Sequence, residues 1–170
     1  PDMLLKVAKI LRDLGVNFEW KVAGYMSNIL KNAVEKKLKT TFEENNVRFL
    51  GFTKPDDLTK ILCESTMYVH TAYIENSPNS VCEAQCLGVP IISTNVGGIS
   101  SLVEDGKQGI LVPANDPWQM ANSIIELSND KKKMERRQKV LNKIKAAGTE
   151  YITITEALKI FTTSRLTVIR

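Results

Sequence analysis

Short apolar runs alternate along this chain with longer stretches in which apolar residues recur every three or four positions. That alternation restricts the fold more than any other feature. Strands separated by crossover helices have to lie parallel, and the helices then cover both faces of the sheet. Residues 2–14 carry a helical stripe of Met3, Leu4, Leu5, Val7, Ile10, Leu11 and Leu14, closed by Gly15. Residues 18–23 read as a strand ending at Gly24, and residues 30–45 as a helix with a Lys/Glu-rich outer side. Residues 47–52 read as a strand, after which Thr53 and Asp56 resemble a capping pair opening a helix through Leu58, Ile61 and Leu62. Strands at 67–70, 90–94 and 110–112 and helices at 78–87, 117–128 and 131–147 complete the series. The predicted fold is α/β, a doubly wound, Rossmann-like parallel sheet.

One irregularity stands out. The helix at residue 2 arrives with no strand before it, and in a doubly wound sheet the first strand is central. The first strand is therefore expected to be missing, with its neighbours unpaired in the middle of the sheet. Residues 165–170, RLTVIR, have strand composition and could fill the gap; a frayed tail is the reading favoured here.

Composition narrows the function classes. The 170 residues are 43% apolar, with six Pro and nine Gly, which suits one packed domain and excludes disordered or collagen-like chains. The net charge of +4 is uneven: residues 130–145 hold eight basic and two acidic side chains, a local +6, so the remainder sums to −2. A slightly acidic body speaks against a nucleic-acid reader. Cys63, Cys82 and Cys86 fit neither a disulfide framework nor a paired metal motif, and are expected to be reduced, buried, small apolar residues. No apolar run approaches the ~20 residues of a membrane span, and the N-terminus lacks a signal-peptide layout, so a cytoplasmic protein is expected.

The segment that carries chemistry is residues 70–98, HTAYIENSPNSVCEAQCLGVPIISTNVGG. Ser77 suits an N-cap, Pro78 the first helical position, and Gly88 with Pro90 the C-terminal stop. The short helix so defined follows a strand ending at His70, so its N-terminus points to the carboxyl edge of the sheet, where open α/β folds bind ligands. Backbone N–H groups of Asn79, Ser80 and Val81 then form an anion site suited to phosphate. Glu75 lies before this helix and Glu83 one turn inside it. A carboxylate beside an anion site makes sense where it accepts hydrogen bonds from hydroxyls, and one turn is ~5.4 Å, so Glu83 can meet a ribose diol while Glu75 meets a group beyond the phosphates. Solvated helix charges are the alternative.

Residues 75–83 with the following AQCLGVPIISTNVGG resemble the E-x7-E block of retaining GT-B glycosyltransferases, in particular family 4, the glycosyl transferases group 1. Residues 49–53 (FLGFT), 67–70 (MYVH), 109–113 (GILVP) and 115–117 (NDP) fall in family order, and the likeness covers roughly residues 2–130. It implies that the chain is one lobe of a GT-B fold, with residues 1–147 a nucleotide-sugar (donor) binding domain and 148–170 a C-terminal helix and tail. Glu75 would lie beside the donor sugar, Glu83 would hold the ribose, and both are the residues the resemblance puts at the catalytic centre. Asn79 to Val81 would bind the distal phosphate, Gly51, Phe52 and Thr53 would meet the base through main-chain atoms, and Gly97 and Gly98 would let bare backbone approach the sugar, although a plain turn explains those glycines nearly as well.

The implied reaction moves a sugar from a nucleoside diphosphate sugar to an acceptor hydroxyl with retention, without a cofactor or catalytic metal. Departures from the pattern matter too. The family's Arg and Lys after the lobe's first strand would precede Pro1, and the acceptor-binding N-terminal lobe, which would hold a glycan or lipid-linked sugar, is expected to be missing, so turnover by this chain alone is not expected. His70 is expected to be structural rather than an acid/base, and Trp20 and Trp118 packing anchors. The basic stretch reads first as a solvated helix face and second as a peripheral membrane contact. Two rivals stand: an epimerase lobe of the same fold acting on nucleotide sugars, and a non-enzymatic basic-helix module binding membrane or nucleic acid.

Overall fold

The computed structural model describes residues 1–147 and 166–169. In chain order the elements are α1 (Asp2–Asp13), β1 (Trp20–Ala23), α2 (Asn28–Leu38), β2 (Val47–Gly51), α3 (Pro55–Glu64), β3 (Met67–His70), α4 (Asn79–Cys86), β4 (Ile91–Thr94), α5 (Ile99–Leu102), β5 (Gly109–Val112), α6 (Pro117–Asn129), α7 (Lys131–Ala147) and β6 (Leu166–Ile169). The strands form one six-stranded sheet in the order β2-β1-β6-β3-β4-β5. β1 with β2, β3 with β4 and β4 with β5 are parallel, as the alternation requires.

The centre of the sheet departs from the expectation of a frayed tail. β6 lies between β1 and β3 and is antiparallel to both, pairing Leu166–Ile169 along all of β1 and Ile169 and Val168 with Met67 and Tyr68. Thr66 N–H donates to the Ile169 carbonyl at 2.9 Å. A doubly wound sheet numbered by its own strands runs 3-2-1-4-5-6, so β6 holds the first strand's position in that order. The reason is that main-chain groups facing each other across the middle of a buried sheet have to be paired. The tail expected over 148–170 is corrected at this end; residues 148–165 lie outside the described residues.

Two core clusters flank the sheet. On one face α1 (Leu4, Leu5, Leu11) and α6 (Met120, Ile124, Leu127) meet Trp20, Met67, Val69, Ile92 and Ile169. On the other, α3 (Leu58, Leu62) and α4 (Val81, Ala84) meet Tyr68 and Ile91. Neighbours such as Tyr68 and Val69, or Ile91 and Ile92, fall on opposite faces, which is the period of two expected of strands buried on both sides.

Several boundaries shift. The helix expected over 30–45 ends at Leu38, where Lys39 takes a left-handed conformation, and the chain continues into a single 3-10 turn at Glu43–Asn45. Thr40 and Thr41 break it by side-chain bonding to nearby groups: the Glu44 carboxylate accepts from the Thr40 hydroxyl at 3.1 Å and from the Thr41 N–H at 2.9 Å. Lys54, not Thr53, occupies the N-cap of α3, and the Thr53 hydroxyl donates to the Gly51 carbonyl instead. Trp20 is fully buried as expected, whereas Trp118 is 59% exposed and anchors nothing of comparable extent. Of the cysteines, Cys63 is buried, but Cys82 is half-buried and Cys86 exposed, because α4 turns that side of its short span outward.

Ile169 is 3% exposed in the larger cluster. Ile169→Ala should therefore lower the free energy of unfolding by about 2–5 kcal/mol, read as a fall in the urea midpoint; an unchanged midpoint would take β6 out of the sheet.

Candidate functional site

β3 and the loop after it deliver the side chains at the carboxyl edge. The strand's alternation puts Tyr68 and His70 on one face, where their rings stack at 6.3 Å between centroids and 29° between planes. The Tyr68 hydroxyl donates to Ser80 Oγ at 2.8 Å, which ties the strand to the first turn of α4. His70 is buried; its Nδ1 lies 3.3 Å from Ser93 Oγ, and its Nε2 3.7 Å from Glu75 Oε2. Burial pushes the His70 pKa below its ordinary value, against the opposing pull of Glu75, so the ring is neutral near pH 7.

α4 begins one residue later than its sequence suggests. Pro78, not Ser77, is the N-cap, in an extended conformation and with no side-chain bond to the helix. The Val81 N–H donates to the Pro78 carbonyl at 3.1 Å, so of the three amides expected to meet an anion, that of Val81 is engaged within the turn. Asn79 is half-buried and Ser80 and Val81 are buried.

Glu83 is the most distinctive group of the site. It is 4% exposed, and its Oε1 has no hydrogen-bond partner. Burial raises its pKa from 4.5 to about 7, since the carboxylate loses the water around it and no cation among the described residues offsets that loss. Glu75 is half-buried in the preceding loop, with Oε1 accepting from the Asn76 N–H at 3.0 Å. Both carboxylates bear on Tyr68: after burial itself, Glu83 and then Glu75 hold the Tyr68 hydroxyl in its protonated form.

Gly97 and Gly98 follow β4 and abut the same loop. A Cβ on Gly97 would overlap the Glu75 carbonyl oxygen, and one on Gly98 the Asn76 carbonyl oxygen; Gly97 also has a φ of 53°. These glycines accordingly seat the Glu75 loop, a role the sequence reading did not assign them. Gly51, Phe52 and Thr53 sit at the end of β2, with the Gly51 carbonyl accepting from the Gly24 N–H at 2.8 Å and Phe52 90% exposed. That turn shares the carboxyl edge with Glu75 and Glu83 but lies three strand spacings from β3, roughly 14 Å. A groove of about 770 Å³ borders Gly51, Gly24 and Tyr25, and a cavity of about 400 Å³ opens at the opposite edge of the sheet. Neither is lined by Glu75 or Glu83. Tyr68 and Ser93 were not singled out from sequence; the signal available was the period of two, which aligns position 68 with His70.

Residues 1–144 match the family described as Glycosyl transferases group 1. The chain belongs to that family. Among curated relatives, it is 25% identical over 134 residues to the amylovoran biosynthesis glycosyltransferase AmsK of Erwinia amylovora, covering 73% of this chain and 31% of that protein. It is 32% identical over 84 residues to the D-inositol 3-phosphate glycosyltransferase of Corynebacterium kroppenstedtii, covering 49% of this chain and 19% of that protein. The chain therefore spans about a third or less of the length of these relatives. Among solved structures, TarM superposes with a TM-score of 0.63 at 22% identity, over 91% of this chain and 32% of its own. HepE of Anabaena, solved in complex with UDP and glucose, gives 0.62 at 21%, over 92% of this chain and 42% of its own. The architecture is that of GT-B glycosyltransferases.

The buried carboxylate has a measurable signature. Between about 4.5 and about 7 the folded chain keeps a proton on Glu83 that the unfolded chain has released. Its contribution to stability is thus complete below the lower value and is lost as pH rises through the upper one. His70, buried and neutral, acts in the opposite direction as pH falls, so the comparison with a variant isolates Glu83. Glu83→Gln should gain stability relative to wild type on going from about pH 5 to about pH 8, measured by urea unfolding; parallel profiles would mean that Glu83 is solvated.

Proposed function

We propose that this chain is the donor-binding lobe of a retaining glycosyltransferase of family 4, which transfers a sugar from a nucleoside diphosphate sugar to an acceptor hydroxyl. The observation that carries the reading is the buried Glu83 one turn inside α4, whose Oε1 has no hydrogen-bond partner, on the helix that follows the Glu75 loop. A carboxylate without a partner in a dry position is costly unless something arrives to bond it. A ribose 2′,3′-diol supplies two donors for that purpose.

In this reading the amides that open α4, aided by the helix dipole, receive the diphosphate. Glu75 orients hydroxyls of the donor sugar, and the main chain of Gly51, Phe52 and Thr53 meets the base, the nucleotide reaching across the sheet's centre between them. Gly97 and Gly98 keep the Glu75 loop in place while leaving the sugar's approach clear of side chains. The developing charge on the leaving diphosphate is met by amides and protein cations, and the scheme uses no metal or cofactor. Support for a nucleotide-sugar donor comes from HepE, solved with UDP and glucose, and from the pneumococcal O-GlcNAc transferase GtfA, solved with UDP and GlcNAc. That the chain covers about a third of its relatives supports a single-lobe assignment, with the acceptor, a glycan or a lipid-linked sugar, held by a second lobe. Among the described residues no helix is long and apolar enough to cross a membrane. We place the enzyme in the cytoplasm, with α7 and its run of Lys and Arg as a peripheral contact to anionic membranes.

Calorimetry with UDP tests the assignment. Wild type should bind weakly and Glu83→Ala more weakly by about 1–3 kcal/mol, the value of a hydrogen bond to a charged group. Because only the ionised carboxylate accepts from both hydroxyls, and its pKa stands at about 7, affinity should rise more between about pH 6 and about pH 8 in wild type than in Glu83→Ala, where only the terminal phosphate of UDP, with a second pKa of about 6, titrates. Equal affinities for the two proteins would remove Glu83 from the ribose.

A further inference from the structure

The cavity of about 400 Å³ lies at the edge of the sheet opposite Glu75 and Glu83, where β4 and β5 begin and α7 takes its first turns. Its walls are largely apolar, with Val89, Pro90 and Leu127 among them, and its only charged lining residues among the described residues are Lys107, Lys133 and Arg136. An apolar hollow lined by three cations, with the carboxylates of Glu104 and Asp130 outside the lining, is matched to a molecule with an anionic head on an apolar body.

The cations are available to such a molecule. Lys107 contacts Glu104 at 2.6 Å and Lys133 contacts Asp130 at 3.8 Å, both on exposed side chains, and exposed pairs of this kind are weak enough to exchange for a better anion. Arg136 is exposed and makes no ion pair among the described residues, and its planar fork fits phosphate oxygens in a bidentate fashion. The positive charge does not stop at the cavity: Lys132 and Lys139, exposed and three or four residues from Arg136, continue it along the same side of the helix. A single soluble anion would use only the cations at the rim. A bilayer surface meets the entire row.

We infer that this cavity takes the phosphate headgroup of an anionic lipid at a membrane surface, with the lipid's glycerol portion against the apolar wall. The inference rests on the membrane-contact part of the proposed function and is independent of the donor assignment. It orients the domain, placing the amino edge of the sheet on the membrane and the carboxyl edge, with Glu75 and Glu83, away from it.

Co-sedimentation of the full chain with phosphatidylcholine vesicles, with and without phosphatidylglycerol, tests it. Wild type should pellet only with phosphatidylglycerol and be released by salt; failure to pellet at all would overturn the membrane contact itself, leaving UDP binding unaffected. Lys133→Glu/Arg136→Glu should lower partitioning by about a hundredfold or more, whereas Lys131→Glu/Lys132→Glu, the same charge change outside the cavity, should have an effect about tenfold smaller. The neutral pair Lys133→Gln/Arg136→Gln, which adds no acid beside Asp130, should fall between wild type and the reversed pair. Equal losses for the two reversals would reduce the site to bulk charge on α7 and overturn the cavity assignment. Glycerol phosphate binding in solution as tightly as vesicles do would overturn the assignment to a membrane lipid.

Discussion

The facing edges of β1 and β3 impose the constraint on which the rest of the domain depends. Each presents a row of main-chain donors and acceptors in the middle of the molecule, where water cannot reach them. The four residues of β6 join β2-β1 to β3-β4-β5 within the sheet. The larger core cluster reinforces the join, because Trp20 from one half and Met67, Val69 and Ile92 from the other share it with Ile169. β3 in turn sets the position of Tyr68, whose bond to Ser80 fixes the start of α4 and with it the depth of Glu83. A backbone requirement at the centre is thereby transmitted to a carboxylate at the edge.

The site combines a group that resists charge with others that have been relieved of it. Glu83 stays in a dry position without a compensating cation, His70 is kept neutral by burial, and Tyr68 is held protonated. A buried carboxylate oxygen left without a hydrogen-bond partner is a local violation of packing rules, and such violations mark candidate binding sites.

Much of this was legible in the sequence. The five strands other than β6 and most helices appear at their expected places because period-two and period-3.6 patterns are local properties of the chain. Ser77 and Pro78 marked the onset of α4 to within one residue, and Glu75 and Glu83 fall in the loop before α4 and in α4 itself, as their spacing from Pro78 requires. What was not legible depended on distant parts of the chain. RLTVIR has the composition of a strand, but nothing within it specifies a central slot or an antiparallel direction; both follow from edges formed more than ninety residues earlier at β3 and further still at β1. The end of α2 was missed because Thr40, Thr41 and Glu44 satisfy one another in a way that an apolar pattern does not record. Glu83 could be singled out from its spacing, but its burial depends on how α4 packs in the folded domain, which the spacing does not record.

The contact between Gly97–Gly98 and the Glu75–Asn76 backbone has a consequence for how such a chain can diverge. Gly97 is open to solvent, and surface turns ordinarily accept almost any residue. Here the limit comes from the inner side of the turn, where another loop's carbonyl oxygens occupy the room a side chain would need. Two segments about twenty residues apart are thus locked as one surface unit, able to drift only together, and solvent visibility at position 97 is no measure of its freedom to change.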